Sequence, residues 1–177
     1  MHGFSTRRFT LTAIAASGAL ATTLALAGSA VAVAPATATA SYNCGFAGSG
    51  TVTLTAADSG NGKTIRIDST DIRTQFALDA NTVTTTLKLN KTSGGATSEV
   101  QFSGTVHEAA NTGDPLTFGP LPLAAGSLST GDTTDSVALT GAPSASNWSL
   151  KFTVNDPGGS FTSYCTATGN QSAAFTW

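Results

Sequence analysis

An antiparallel all-β domain behind an N-terminal leader is the architecture that this sequence predicts, on three observations. From Cys44 onward, apolar residues recur at every second position. Clusters of Gly, Asn, Asp and Pro interrupt that alternation at short intervals. The chain's two cysteines, Cys44 and Cys165, stand near the two ends of the alternating region. A two-residue period is the signature of strands with one face buried, and frequent turn residues between short strands indicate a sandwich or barrel.

The leader comes first. Met1 to Arg8 carries the pair Arg7-Arg8, and no further basic residue occurs before Lys63. Leu11 to Val33 is uncharged and mostly Ala, Leu, Val and Gly; Pro35 and Ala38-Thr39-Ala40 follow. A basic start, an apolar stretch and a small-x-small site in that order define an export signal. The cut is expected between Ala40 and Ser41, giving a signal peptide over 1–40 and one domain over 41–177. The apolar stretch is long enough to span a bilayer, but it is rich in Ala, Thr and Ser and lacks a charged stop, so a retained anchor is disfavoured. Arg7-Arg8 leaves general secretion and twin-arginine export both open, since Thr10 sits where the latter pattern wants an apolar residue.

The strands follow in order. Cys44, Phe46, Val52, Leu54 and Ala56 share one face, with Thr51, Thr53 and Thr55 on the other, and 58–62 is a turn. Ile65 and Ile67 alternate with polar neighbours, as do Ile72, Thr74, Phe76 and Leu78. After a turn at 79–81, Val83, Thr85, Leu87 and Leu89 define the next strand, and 90–95 turns again. Val100, Phe102 and Val106 are assigned to the apolar face; Gln101, Thr105 and His107 fall on the polar one. Asp114 to Gly126, with Pro115, Pro120 and Pro122, is expected at a sheet edge or in a long connection, because proline cannot donate to a ladder. Val137 and Leu139 mark a further strand, then Trp148, Leu150, Phe152 and Val154. The turn at 155–159 leads to Phe161, Cys165 and Ala167, and Phe175 and Trp177 share the last face.

An even cysteine count in an exported chain implies one disulfide, Cys44–Cys165. It closes a loop of about 120 residues, for which chain entropy predicts roughly 4–5 kcal/mol. With the first strand tied to one near the end, an immunoglobulin-like Greek-key sandwich is the expected arrangement. Three short motifs fit this: Tyr42-Asn43-Cys44, the run from Pro115 to Leu123, and Tyr164-Cys165. In these the chain resembles secreted actinobacterial immunoglobulin-like domains of unknown function. The resemblance implies a fold and an extracellular setting, and brings no site residues with it.

Charge excludes one class of partner. Without Arg7 and Arg8, the eight basic residues become six against ten acids, a formal charge of −4. Nucleic acid is captured by a positive field, so no nucleic-acid partner is expected, and none in a membrane once the leader is removed. A catalytic triad needs a nucleophile, base and acid held together. Residues 41–177 contain one histidine, His107, expected to be a solvated strand residue. Zinc would need more Cys and His ligands. Asp58, Asn61, Asp68 and Asp71 gather around one turn and Asp132 and Asp135 around another, yet turn chemistry accounts for them without calcium. No catalytic, cofactor or metal residue is therefore assigned. Sugar binding would use coplanar exposed rings. Of the candidates Tyr42, Tyr164, Trp148 and Trp177, Trp148 is expected in the core near the disulfide, Tyr164 outside, and Trp177 on either side. The expectation is a non-enzymatic secreted or envelope-associated protein with a structural, adhesive or binding role toward an extracellular partner. A carbohydrate-binding module, a small hydrolase using His107, and a protease inhibitor presenting residues 114–126 are the alternatives.

Overall fold

The computed structural model describes residues 32–177 apart from 60, 61, 157 and 158. Most of the expected signal peptide, and the centres of the turns expected at 58–62 and 155–159, thus lie outside the described residues. Ten strands follow one another: β1 Thr37–Asn43, β2 Ser49–Asp58, β3 Lys63–Arg73, β4 Val83–Ser93, β5 Ala96–Gly104, β6 Pro115–Ala125, β7 Thr133–Ser136, β8 Leu150–Asp156, β9 Gly159–Ala167 and β10 Phe175–Thr176. A single 3-10 turn, Gly45–Ala47, follows β1.

Every strand pairing is antiparallel, and the pairings close on themselves. The ring runs β1-β2-β3-β6-β5-β4-β8-β9 and returns to β1. This corrects the sandwich expectation. A sandwich keeps two sheets separate; here β4–β8 and β1–β9 join what would have been their edges. Closure joins the edges that two separate sheets would leave open, and eight strands enclose a space that side chains can fill. Register shifts in β3–β6 and β5–β6 bend the wall, as bulges do.

The wall is completed differently at its two ends. β4 pairs with β8 through Val83–Leu87, but with β7 through Leu89–Thr92. β7 pairs with β10, and Thr176 of β10 bridges to Ala34, ahead of β1. β9 reaches β1 only at Tyr42 and Asn43. One end of the barrel is thus closed by the β8–β9 hairpin and the other by β7 and β10.

Alternation decides which residues fill the interior. Val52, Leu54, Ile65, Ile67, Leu87 and Leu121 are at most 1% exposed, and each contributes on the order of 1.5–3 kcal/mol by leaving water. Thr51, Thr53 and Thr55 face outward on β2, so apolar-in and polar-out is the rule, the reverse of a barrel built for lipid. No helix among the described residues is long and apolar enough to cross a membrane.

The Pro-rich segment is neither an edge nor a loop. β6 lies in the wall between β3 and β5. Its prolines fit because the ladder skips at Pro120: Ile67 faces Phe118 and Ile65 faces Leu121, leaving Gly119 and Pro120 outside the register. Gly119 has φ +103°, and a Cβ there would lie 2.8 Å from the Ile65 carbonyl oxygen. Only glycine permits this close passage. Residues 115–125 are consequently held as strand, and cannot serve as the exposed reactive loop of a protease inhibitor.

The expected disulfide, Cys44–Cys165, is formed, with Cα atoms 4.0 Å apart. The fold begins ahead of Ser41, however: β1 starts at Thr37, and Val33 is already part of the core.

Candidate functional site

The end closed by β8 and β9 carries a cluster of exposed aromatic rings. Phe46, Phe76 and Phe161 are 62%, 42% and 43% exposed, unusual for rings that otherwise fill this core. They come from three places: the 3-10 turn after β1, the segment after β3, and the start of β9. The Phe46 and Phe161 rings meet edge to face at 5.4 Å, and those of Phe76 and Phe161 at 6.3 Å. Phe161 lies opposite Val154 in the β8–β9 register. Its two-residue phase with Ser163 and Cys165 points it along the interior side, at the last position before the barrel opens.

Behind the rings lies a cavity of about 50 Å³. Leu116, Phe118, Phe152 and Val83 contribute apolar surface to it, and Ser163 one hydroxyl. Ser163 is 7% exposed, and its Oγ has no hydrogen-bond partner among the described residues. An unmet buried hydroxyl costs on the order of 1–3 kcal/mol; Thr85, Ser136 and Thr166 carry others among the described residues.

The mouth is held rigidly where Phe46 enters. Cys44 is fixed by its disulfide, and its N–H donates to the Gly48 carbonyl at 2.8 Å. The Asn43 Oδ1 accepts from the Gly45 N–H at 3.0 Å. Beside the mouth a cleft of about 380 Å³ shares Thr74, Leu78, Leu116 and Phe118 with the cavity and carries Arg66, Glu108 and Asp114.

His107 also borders that cleft, but it is not the solvated residue that alternation predicts. It is 6% exposed, while Val106, expected inside, is 46% exposed. β5 has ended at Gly104, so the two-residue phase no longer applies. The imidazole Nε2 accepts from the Val83 N–H at 2.9 Å, and Nδ1 donates to the Glu108 carbonyl at 2.7 Å. Those bonds fix the Nδ1–H tautomer and tie the start of β4 to the segment after β5.

The aromatic residues considered for sugar binding separate. Trp177 and Tyr42 are each 1% exposed and belong to the core. Burial, reinforced by the Asp135 charge, pushes the Tyr42 phenol up to about 12. Trp148 is half-buried and outside the core. β8 starts only at Leu150, so Trp148 does not continue its inward phase. Lys88 and Lys151 place their ammonium groups 4.1 and 4.6 Å from the Trp148 ring centroid, a cation–π arrangement worth about 0.5–1 kcal/mol at an exposed site. Tyr164 is half-exposed across from Lys151. Trp148 is thus covered by lysines and offers no open platform.

The acids considered for calcium have dispersed partners. Asp58 pairs with Lys63, Asp68 binds Arg66 and the Thr117 hydroxyl, and Asp71 accepts from the Thr51 N–H; Asn61 lies outside the described residues. Asp135 accepts from the Gln171 N–H. Asp132 is engaged by Ser93, Ser129 and Lys91, which lower its carboxyl to about 2. Among the described residues no three potential metal ligands converge.

No protein-family model, curated protein or solved structure matches the chain. The likeness to immunoglobulin-like domains therefore gains nothing from comparison, and the closed barrel departs from the sandwich that it implies.

The aromatic mouth escaped the sequence because its three rings sit on separate segments. One local signal was present: Gly45 and Gly48 flank Phe46 closely, which marks a turn better than a continuing strand.

Proposed function

We propose that this protein is an exported, non-enzymatic binding domain whose aromatic mouth receives one aliphatic side chain of an extracellular protein partner. The cluster of exposed Phe46, Phe76 and Phe161 around an apolar cavity carries this reading. Exposed apolar clusters with a polar rim mark interaction sites, and protein interfaces concentrate affinity where an anchor enters a pocket.

Size selects the occupant. A cavity of roughly 150 Å³ encloses a benzene ring; the cavity here is about 50 Å³. It takes the tip of a Leu, Ile, Val or Met and cannot enclose a sugar or a lipid chain. The rest of the contact must lie on the phenylalanine rim and in the adjoining cleft, where Arg66, Glu108 and Asp114 offer polar groups to a peptide backbone. A polypeptide presenting one aliphatic anchor meets both requirements.

The non-enzymatic part rests on His107, whose Nε2 is engaged by a backbone N–H and so is not free to take a proton from a nucleophile. Export rests on the leader pattern and on the disulfide, which suits an oxidising compartment.

The test is an amide-shift titration of the isotope-labelled protein with blocked Gly-Gly-Xaa-Gly-Gly peptides. With Leu, Ile or Met at the centre, shifts should concentrate at Phe46, Phe76, Phe161 and Ser163. The all-glycine peptide should leave these signals in place. Equal responses to all peptides, or shifts centred elsewhere, contradict the proposal.

A further inference from the structure

The described residues ahead of Ser41 are built into the barrel, and this bears on how the chain matures. Val33 is 6% exposed, and Ala38 and Ala40 are 3% and 4% exposed. The Ala34 N–H donates to the Thr176 carbonyl at 3.0 Å, and the Thr176 N–H donates back to Ala34 at 2.7 Å. The Ala56 N–H donates to the Ala36 carbonyl at 2.9 Å. Thr37, Ala38, Thr39 and Ala40 stand in register with Thr55, Leu54, Thr53 and Val52. On the other side, the Thr39 N–H donates to Ser172 Oγ at 2.9 Å and its carbonyl accepts from the Ser172 N–H at 2.7 Å.

A cut after Ala40 would remove all of this. It would strip the cover from Val52, Leu54 and Ala56, which are now at most 4% exposed. It would also leave β2 and β10 with unpaired backbone groups, the kind of loss that native structures avoid.

We propose that the leader is cut at or before Ala32, so that the mature protein keeps every residue from Val33 onward. Two small-x-small sites lie there, Gly28-Ser29-Ala30 and Ala30-Val31-Ala32, at the end of the apolar stretch where a signal peptidase acts. Ala32 is exposed, next to the buried Val33. In the step, solvent water adds across the peptide bond after Ala30 or Ala32. The bond breaks to give a carboxylate on the released leader and a free amine on Val31 or Val33. Ala38-Thr39-Ala40 satisfies the same small-residue pattern only because a strand of alternating Thr and buried Ala has the same composition.

The inference rests on the export reading, and one experiment separates the two. The full chain from Met1 is expressed in a secreting bacterium, and the protein recovered from the medium is analysed by N-terminal sequencing and intact mass. A start at Val31 or Val33 is expected. A folded, disulfide-bonded product starting anywhere from Ala34 to Ser41 overturns the proposal and leaves export intact. Retention of the uncut chain inside the cell overturns both. Changing Ala30→Tyr and Ala32→Tyr together should suppress release of mature protein; undiminished release with a Ser41 start overturns the site as well.

Discussion

The two ends of this barrel are closed by different strands and finished to different standards. At the β7–β10 end, Trp177 fills the opening. Its Nε1–H donates to Thr134 Oγ1 at 2.9 Å, its ring stacks on Phe102 with centroids 5.6 Å apart, and Lys63 lies 5.4 Å from its centroid. Lys63 in turn pairs with Asp58, and Lys91 with Asp132 at 3.0 Å. At the β8–β9 end, three phenylalanines are 42–62% exposed over a cavity, and the Ser163 hydroxyl has no partner among the described residues. The difference is that one end covers its aromatic rings while the other leaves three of them partly exposed to solvent.

That contrast can be broken most severely at the disulfide. Cys44 and Cys165 are 121 residues apart, and Cys44→Ser with Cys165→Ser should cost roughly 4–5 kcal/mol in urea unfolding, since the constraint on the unfolded chain disappears. The same change frees Phe46 from its anchor, so the mouth should lose order before the Trp177 end; amide exchange would show this. Trp177→Ala comes next, at about 3–5 kcal/mol from the space it leaves, and it should affect Val33 and β10 more than the mouth.

A smaller effect sharpens the contrast in the opposite direction. Ser163→Ala removes a buried hydroxyl that has no partner, and should raise stability by about 1–3 kcal/mol. A loss on that scale would show that Ser163 is satisfied after all and that the mouth is as complete as the other end.

The last prediction concerns pH. The Asp132 carboxyl is held at about 2 instead of 3.8, first by the Ser93 hydroxyl, then by the Ser129 N–H and Lys91. A lowered folded value means that its contribution is present above pH 3.8 and disappears as pH falls toward 2. Thermal unfolding between pH 4 and 2 should weaken the Trp177 end, where the Trp177 N–H donates to the Asp132 carbonyl. Asp132→Asn should flatten that part of the profile.

Much of the inside of the barrel was legible in the sequence, because strand phase separates inward from outward residues. Val52, Leu54 and Ala56 against Thr51, Thr53 and Thr55 needed nothing more. Closure was not legible: alternation is the same in a sandwich and a barrel, and it does not record that β4 shares one edge between β8 and β7. Errors arose where phase was carried past the end of a strand. Val106 and His107 lie beyond β5, and Trp148 lies before β8. The motif expected as a cut at Ala40 is ambiguous for a related reason. Thr37 to Ala40 read equally well as a cleavage motif and as the first half of β1, and only pairing with β2 distinguishes them. The aromatic mouth was invisible because Phe46, Phe76 and Phe161 meet only after the chain has closed around them.

If the phenylalanine mouth serves a partner, as proposed, the fold should not depend on it. The most direct measurement is the urea unfolding free energy of the variant carrying Phe46→Ser and Phe161→Ser. It should differ from that of the unaltered protein by less than about 1 kcal/mol, as for other exposed positions. A loss of several kcal/mol would show that these rings belong to the core and that the opening is part of the barrel's own packing.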